Sequence, residues 1–300
     1  MGGGHDHVGL GSVRYTRPLG IAFVLVLGFA VVEFIAGIAS GSLALTADAG
    51  HMGADALGIG MALAAALVAK RAKPNATQTF GLYRVEILAA LANAVLLAGV
   101  ATYVIVEAIR RIGNPGEIDT GLMLAVALGG LLVNVISFRL LRGGADESLN
   151  VEGAYLEVLG DLLASVGVIA AGLVIILTDW YVVDAIVGIG IGLFILPRAY
   201  SLGRRATRIL MEVAPEGIDV EAMRLQFLGL RDVVEVHDLH VWTLTSEMHT
   251  ATAHLVVRDG VDNHPTLDAA RDLLASEFGI DHATLQIEPE SHTGCHEVAW

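Results

Sequence analysis

Six runs of apolar residues, near 18–39, 43–69, 83–110, 119–141, 152–177 and 181–203, are each long enough to cross a hydrocarbon core of ~30 Å, which takes ~20 helical residues. Connections between them are short, which predicts antiparallel neighbours and puts both ends of the bundle on one side. The first run is too long for a cleaved secretory signal, and no small-residue cleavage site followed by a soluble domain accompanies it. Composition agrees: 54% of the residues are hydrophobic and only 17% charged, against ~25% in ordinary soluble domains. The single Cys295 forms no internal bridge, and a net charge of -14 argues against nucleic acid as a partner.

That charge is unevenly placed. Residues 1–208 hold 15 acids and 14 bases, net -1, whereas residues 209–300 hold 17 acids and 4 bases, net -13, together with 8 of the 11 histidines. The sequence therefore divides into a short N-terminal segment (1–17), a six-helix transmembrane domain (18–208) and a polar, acidic, His-rich C-terminal domain (209–300). Twelve Lys and Arg residues flank the spans on the side of the termini, and only Arg110 and Arg111 lie opposite. Positive charge accumulates on the cytoplasmic side, so both termini and the acidic domain are expected in the cytoplasm.

A charged group at mid-membrane costs ~2.5–3.5 kcal/mol on insertion scales, so each buried acid or histidine needs a reason. His51 and Asp55 in the second span, and Glu157 and Asp161 in the fifth, are both i, i+4 pairs, each on one helix face. Two such faces turned together offer four ligand groups, which suits the tetrahedral preference of Zn²⁺ for nitrogen and carboxylate oxygen. A metal would also neutralise carboxylates otherwise unpaired in low dielectric. For one pair alone, an interhelical hydrogen bond explains the residues equally well; two pairs at equal spacing favour the metal. Asp48 and Asn134 stand where they could support such a site from a second shell, with ordinary interhelical hydrogen bonding as the alternative. Glu33, Glu86, Glu107 and Asp184 read as span-end residues that snorkel or form loop ion pairs. Small residues one turn apart, as at Gly50, Ala54 and Gly58 or Gly188 and Gly192, read as close helix packing.

Beyond residue 208 the pattern is a helix near 218–229, strands near 233–245 and 248–258, a helix near 265–278 and a strand near 283–288. This αββαβ order suits an α+β domain with helices on one sheet face. His237 and His240, three apart on one strand, face oppositely by simple alternation. His292, Cys295 and His296 close together at the far end could form a further zinc site, or a neutral tail. The start, with His5 and His7, reads as a solvated tip.

The stretch Ser42-Leu-Ala-Leu-Thr-Ala-Asp-Ala-Gly-His-Met-Gly-Ala-Asp55 resembles the second helix of the cation diffusion facilitator family, and Glu152-Gly-Ala-Tyr-Leu-Glu-Val-Leu-Gly-Asp161 resembles its fifth. Phe80-Gly-Leu-Tyr-Arg-Val-Glu86 and Val236-His-Asp-Leu-His-Val-Trp242 are similar to two further family motifs. The resemblance implies a homodimeric metal-cation:proton antiporter of the bacterial inner membrane, with a cytoplasmic ferredoxin-like domain and no prosthetic group. It further implies that His51, Asp55, Glu157 and Asp161 form the transport site, and that His237, His254, His264 and Glu288 match positions of a regulatory site. Gln286 stands where some members have His. Zinc members commonly carry His in place of Glu157; the cobalt–zinc–cadmium resistance branch, which this chain resembles more closely, has Glu. One His and three carboxylates loosen selectivity for Zn²⁺ against Co²⁺, Cd²⁺ or Mn²⁺ while keeping zinc first. His51, with an ordinary pKa of ~6.5, is the natural proton carrier.

Two other classes compete with an exporter. An intramembrane metalloenzyme needs an open coordination position and a separate general base, and no His-Glu-x-x-His word occurs. A membrane metal sensor needs only an anchor, which does not call for four ionisable groups at mid-membrane.

Overall fold

The computed structural model describes residues 10–71, 77–142, 149–245 and 248–292. Six long helices come first: α1 (Leu10–Ser40), α2 (Leu43–Arg71), α3 (Arg84–Gly113), α4 (Thr120–Arg142), α5 (Leu149–Thr178) and α6 (Val182–Leu210). Among the described residues, five segments are long and apolar enough to span a membrane: Gly20–Ser40, Arg84–Gly113, Thr120–Arg142, Tyr155–Thr178 and Val182–Leu210. The helix absent from that set, α2, carries Asp48, His51 and Asp55.

Each spanning helix sorts its residues by face. On α4 the buried residues are Met123, Ala127, Gly130, Asn134, Ser137 and Leu141, spaced alternately by four and three. That is one stripe of a helix, with small and polar groups where neighbouring helices approach. On α1, Val24, Val31, Ile35 and Ile38 are each more than half exposed, an apolar face suited to lipid. The shared core draws on Leu45, Ala47 and Ala54 of α2, Leu97 and Ala101 of α3, Val168 and Ile175 of α5 and Ile195 of α6.

Two glycines mark close approaches. A Cβ at Gly37 would lie 2.9 Å from the backbone nitrogen of Thr46 and 3.0 Å from its Cα, so α1 meets α2 almost backbone to backbone. A Cβ at Gly192 would lie 2.8 Å from Ile105 and 3.3 Å from the Ala101 carbonyl oxygen, which fulfils the packing expectation for α6. Gly58's side of α2 falls outside the residues with described surroundings.

The chain forms two compact units, one of Met1–Met61 with Ala92–Leu202, the other of Ala62–Leu91 with Gly203–Trp300. In the second, α7 (Val220–Leu228), β1 (Val233–Thr245), β2 (Met248–Val257), α8 (Asn263–Phe278) and β3 (His282–Pro289) follow in the αββαβ order expected. The sheet order is β1-β2-β3, with β1 and β2 antiparallel and β2 and β3 parallel. Asp219 and Asp262 cap the two helices by accepting N–H bonds from their first turns, and Gly279, at φ 64°, ends α8. Met223, Phe227, Leu255, Ala270 and Leu274 form this unit's core. Also within this unit, Thr245 Oγ1 donates to Glu86 Oε2 at 2.6 Å, and Arg84 pairs with Glu212 at 2.5 Å.

Candidate functional site

The helical pitch of α2 and α5 presents His51 with Asp55, and Glu157 with Asp161, as the sequence spacing predicts, and the two faces meet. His51 Nδ1 lies 3.6 Å from Asp55 Oδ2, and its Nε2 lies 3.9 Å from Asp161 Oδ1. His51 and Asp161 are each 2% exposed. Glu157 and Asp55 are joined through a residue the sequence reasoning passed over. Arg198 of α6 places Nη1 3.1 Å from Asp55 Oδ2, and its Nη2 donates to Glu157 Oε1. Imidazole and carboxylates converge here inside an apolar bundle, nitrogen and oxygen donors of the kind a divalent metal takes. Among the described residues, His51 Nδ1 and Asp161 Oδ1 have no hydrogen-bond partner, and Asp55 Oδ2 has the Arg198 ion pair in place of one.

Asn134 uses its amide to donate to Ser165 Oγ at 3.2 Å, bridging α4 and α5 one turn beyond Asp161. That is the interhelical bond offered as its alternative. Asp48 is 0% exposed, and neither carboxylate oxygen finds a hydrogen-bond partner among the described residues. Glu33 does not snorkel: it lies inside α1, is 1% exposed, and both its oxygens are equally without hydrogen-bond partners. Its neighbours Val31, Val32, Phe34 and Ile35 carry no polar signal, so only the packing of α1 distinguishes a buried Glu33 from an exposed one.

Asp184 departs from expectation in a different way. Although it sits in the first turn of α6, it is 1% exposed and caps another helix. Its Oδ1 accepts from Ser42 Oγ at 2.6 Å and Ala44 N at 3.3 Å, and its Oδ2 accepts from Leu43 N at 2.7 Å. A carboxylate at a helix N-terminus satisfies orphan N–H donors and meets the positive end of the dipole. Glu107 forms an ion pair, but within α3 rather than in a loop: Arg111 Nε, one turn on, donates to its Oε1 at 3.0 Å.

In the second unit, strand register assembles a separate cluster. His237 on β1 stands opposite His254 on β2, and His254 stands opposite Gln286 on β3, two residues before Glu288. The ligand atoms of His237, His254 and Glu288 lie within 4.8 Å of one another. His254 Nδ1 is 3.0 Å from Glu288 Oε1, and His237 Nε2 is 3.9 Å from Glu288 Oε2. Gln286 donates to Glu288 Oε1 at 2.7 Å, steadying the carboxylate. The ladder is irregular between His237 and His240, and Asp238 adopts φ 48°, so a bulge turns Val236 and His237 both inward. His264 stands apart, exposed in the first turn of α8. His292 is exposed, while Cys295, His296, His5 and His7 lie outside the described residues.

Comparison with known proteins accords with this arrangement. Residues 19–211 match the family described as cation efflux transmembrane domain, and residues 215–290 match the cation efflux protein, cytoplasmic domain. The chain is 43% identical over 289 residues to the metal cation efflux system protein CzcD of Cupriavidus metallidurans, covering 96% of this chain and 90% of that protein. It is 36% identical over 297 residues to the cadmium, cobalt and zinc/H(+)-K(+) antiporter of Bacillus subtilis, covering 96% and 93%. It is 39% identical over 302 residues to the zinc transporter ZitB of Escherichia coli, covering 99% and 96%. Apolar helices carrying a histidine–carboxylate cluster, followed by an α+β domain and matched by both family descriptions, establish that the chain belongs to the cation efflux family.

Proposed function

We propose that the protein exports divalent metal from the cytoplasm in exchange for protons, with Zn²⁺ as first substrate and Cd²⁺ and Co²⁺ as further ones. The observation that carries this reading is the convergence of His51, Asp55, Glu157 and Asp161 from two helices in an apolar bundle. It is a transporter rather than an enzyme, in keeping with its family. Relatives named for zinc, for cadmium, cobalt and zinc, and for antiport with H⁺ support the substrate range and the coupling.

Metal ligands work deprotonated, so metal binding at His51 and its neighbours releases protons and protonation expels metal. His51 is the proton carrier of this scheme. Metal enters between α2 and α5, the helices rock to expose the site on the far face, and protons displace it there. We assign α2 as the sixth spanning helix, domain limits of 1–17, 18–208 and 209–300, and a ferredoxin-like fold to the last. The Lys and Arg distribution supports placing both termini in the cytoplasm of a cell whose inner membrane holds the dimer. In proteoliposomes with an imposed proton gradient, the protein is expected to drive Zn²⁺ movement opposite to protons, faster than Cd²⁺ or Co²⁺ and far faster than Mn²⁺. Metal movement with no accompanying proton flux would overturn the reading.

The cytoplasmic domain is the regulatory element. Zinc held by His237, His254 and Glu288, with a fourth ligand from solvent or the partner protomer, would favour the dimer state competent for transport. The His237→Ala, His254→Ala variant is expected to lose about one bound Zn²⁺ per protomer by calorimetry, since two of three ligands are gone. Unchanged binding stoichiometry would remove this site. The tail residues His292, Cys295 and His296, with His264, remain further candidates for the same domain, testable by the same titration.

A further inference from the structure

Every ligand in the transport site except His51 is an acid, and this sets a charge problem that Arg198 solves. Asp55, Glu157 and Asp161 bring three negative charges, and a neutral imidazole adds none. One divalent cation leaves a single negative charge uncompensated in a region where an unpaired charge is costly. Arg198 reaches between α2 and α5 with one guanidinium arm on Asp55 and the other on Glu157. Its side chain is 41% exposed, while those of its partners Asp55 and Glu157 are 10% and 23%. The contacts involve Asp55 Oδ2 and Glu157 Oε1, so the guanidinium leaves Asp55 Oδ1 and Glu157 Oε2 to other partners.

Two other arginines of α6 are engaged elsewhere. Arg204 lies 3.2 Å from Glu216, and Arg208 donates to the Ala214 carbonyl oxygen at 3.2 Å. Arg198 follows Pro197, whose ring supplies no N–H to the Leu193 carbonyl, so the helix loses one backbone bond a turn before the guanidinium departs. Arginine suits the task because it stays protonated throughout the working pH range and its planar fork spans two carboxylates. A lysine ammonium would supply the charge without the fork. Protonating one of the carboxylates instead would make the charge balance depend on the same protons that the transporter exchanges.

We propose that Arg198 is the fixed positive charge of the transport site, balancing the carboxylate of Glu157 so that four ligands and one divalent cation sum to zero. This rests on the site assigned above. Its distinctive consequence is reciprocity between positions 157 and 198: a neutral ligand at 157 no longer needs the arginine.

The test is a double-mutant cycle in the full-length protein reconstituted in liposomes, reading zinc flux and zinc affinity. Arg198→Gln is expected to slow zinc flux about tenfold, and Glu157→His with Arg198 in place to weaken zinc binding about tenfold, since each leaves one uncompensated charge. The Glu157→His, Arg198→Gln double variant is expected to return to within about threefold of wild type, a non-additivity that a merely structural role would not produce. Arg198→Lys, which keeps the charge, should retain more flux than Arg198→Gln. Flux in the double variant no better than in the slower single variant, wild-type flux in Arg198→Gln, or equal losses in the Lys and Gln variants would each overturn the proposal. Should Arg198→Gln fail to incorporate, Glu157→His alone decides: zinc bound at wild-type strength or tighter overturns it. If instead removal of Asp55 and Asp161 leaves zinc binding at this locus intact, the underlying site is wrong, an outcome separate from any result at Arg198.

Discussion

Liposomes carrying the Asp55→Ala, Asp161→Ala variant are expected to move zinc at least about 100-fold more slowly than wild type at equal incorporation, because even outer-shell partners of a metal cost 10–100-fold when removed. The two acids come from different helices and approach opposite nitrogens of His51, so their loss strips the site from both sides. It also leaves Arg198 with only Glu157 as its carboxylate partner in the site. Zinc held by the cytoplasmic domain should be unaffected, so total binding falls by the transport-site ion alone. Zinc uptake at the wild-type rate, with the variant properly inserted, would show that transport runs through other residues.

The second large effect is on folding. Asp184→Ala removes three hydrogen bonds at the start of α2 and leaves Leu43 N, Ala44 N and Ser42 Oγ buried. Buried donors left unsatisfied cost ~1–3 kcal/mol each, partly recovered by relaxation, so a loss of roughly 3 kcal/mol is expected. The lost favourable interaction with the helix dipole adds to it. Asp184→Asn keeps an acceptor and should lose about half as much. Thermal unfolding of the detergent-solubilised protein, followed by size-exclusion chromatography after heating, checks the order wild type, Asn, Ala. Equal melting of all three would mean that the cap contributes nothing.

Much of this was legible in the chain. The six runs from 18–39 to 181–203 match α1 to α6, with 83–110, 119–141 and 181–203 starting one residue early, because the apolar runs needed to satisfy lipid are the same runs that form helix. The i, i+4 pairs on α2 and α5 were readable for the same reason: helical pitch fixes a face. Arg198 was not readable, because its sequence neighbourhood, with Arg204, Arg205 and Arg208 close behind, is that of a cytoplasmic helix end. Only the approach of α6 to α2 and α5 shows that the arginine side chain reaches their carboxylates. Glu33 and Asp184 were misplaced by the same limitation, since distance from a span end says nothing about which neighbour a face meets. In the cytoplasmic domain, strict alternation described His237 and His240 correctly as differently placed. The bulge at Asp238, a backbone event without a glycine to announce it, turned out to aim His237 inward beside His254.

The contact of Gly37 with Thr46 carries a mechanical consequence. With backbone nitrogen and Cα at about 3 Å from where a Cβ would stand, the loop ends of α1 and α2 are already at their closest separation. Compression there is blocked, so α1 and α2 can part or pivot at that end but not draw nearer. The position would act as a fulcrum: His51 and Asp55 lie about one and a half and two and a half turns further along α2, on the lever arm that any tilt of this helix would swing.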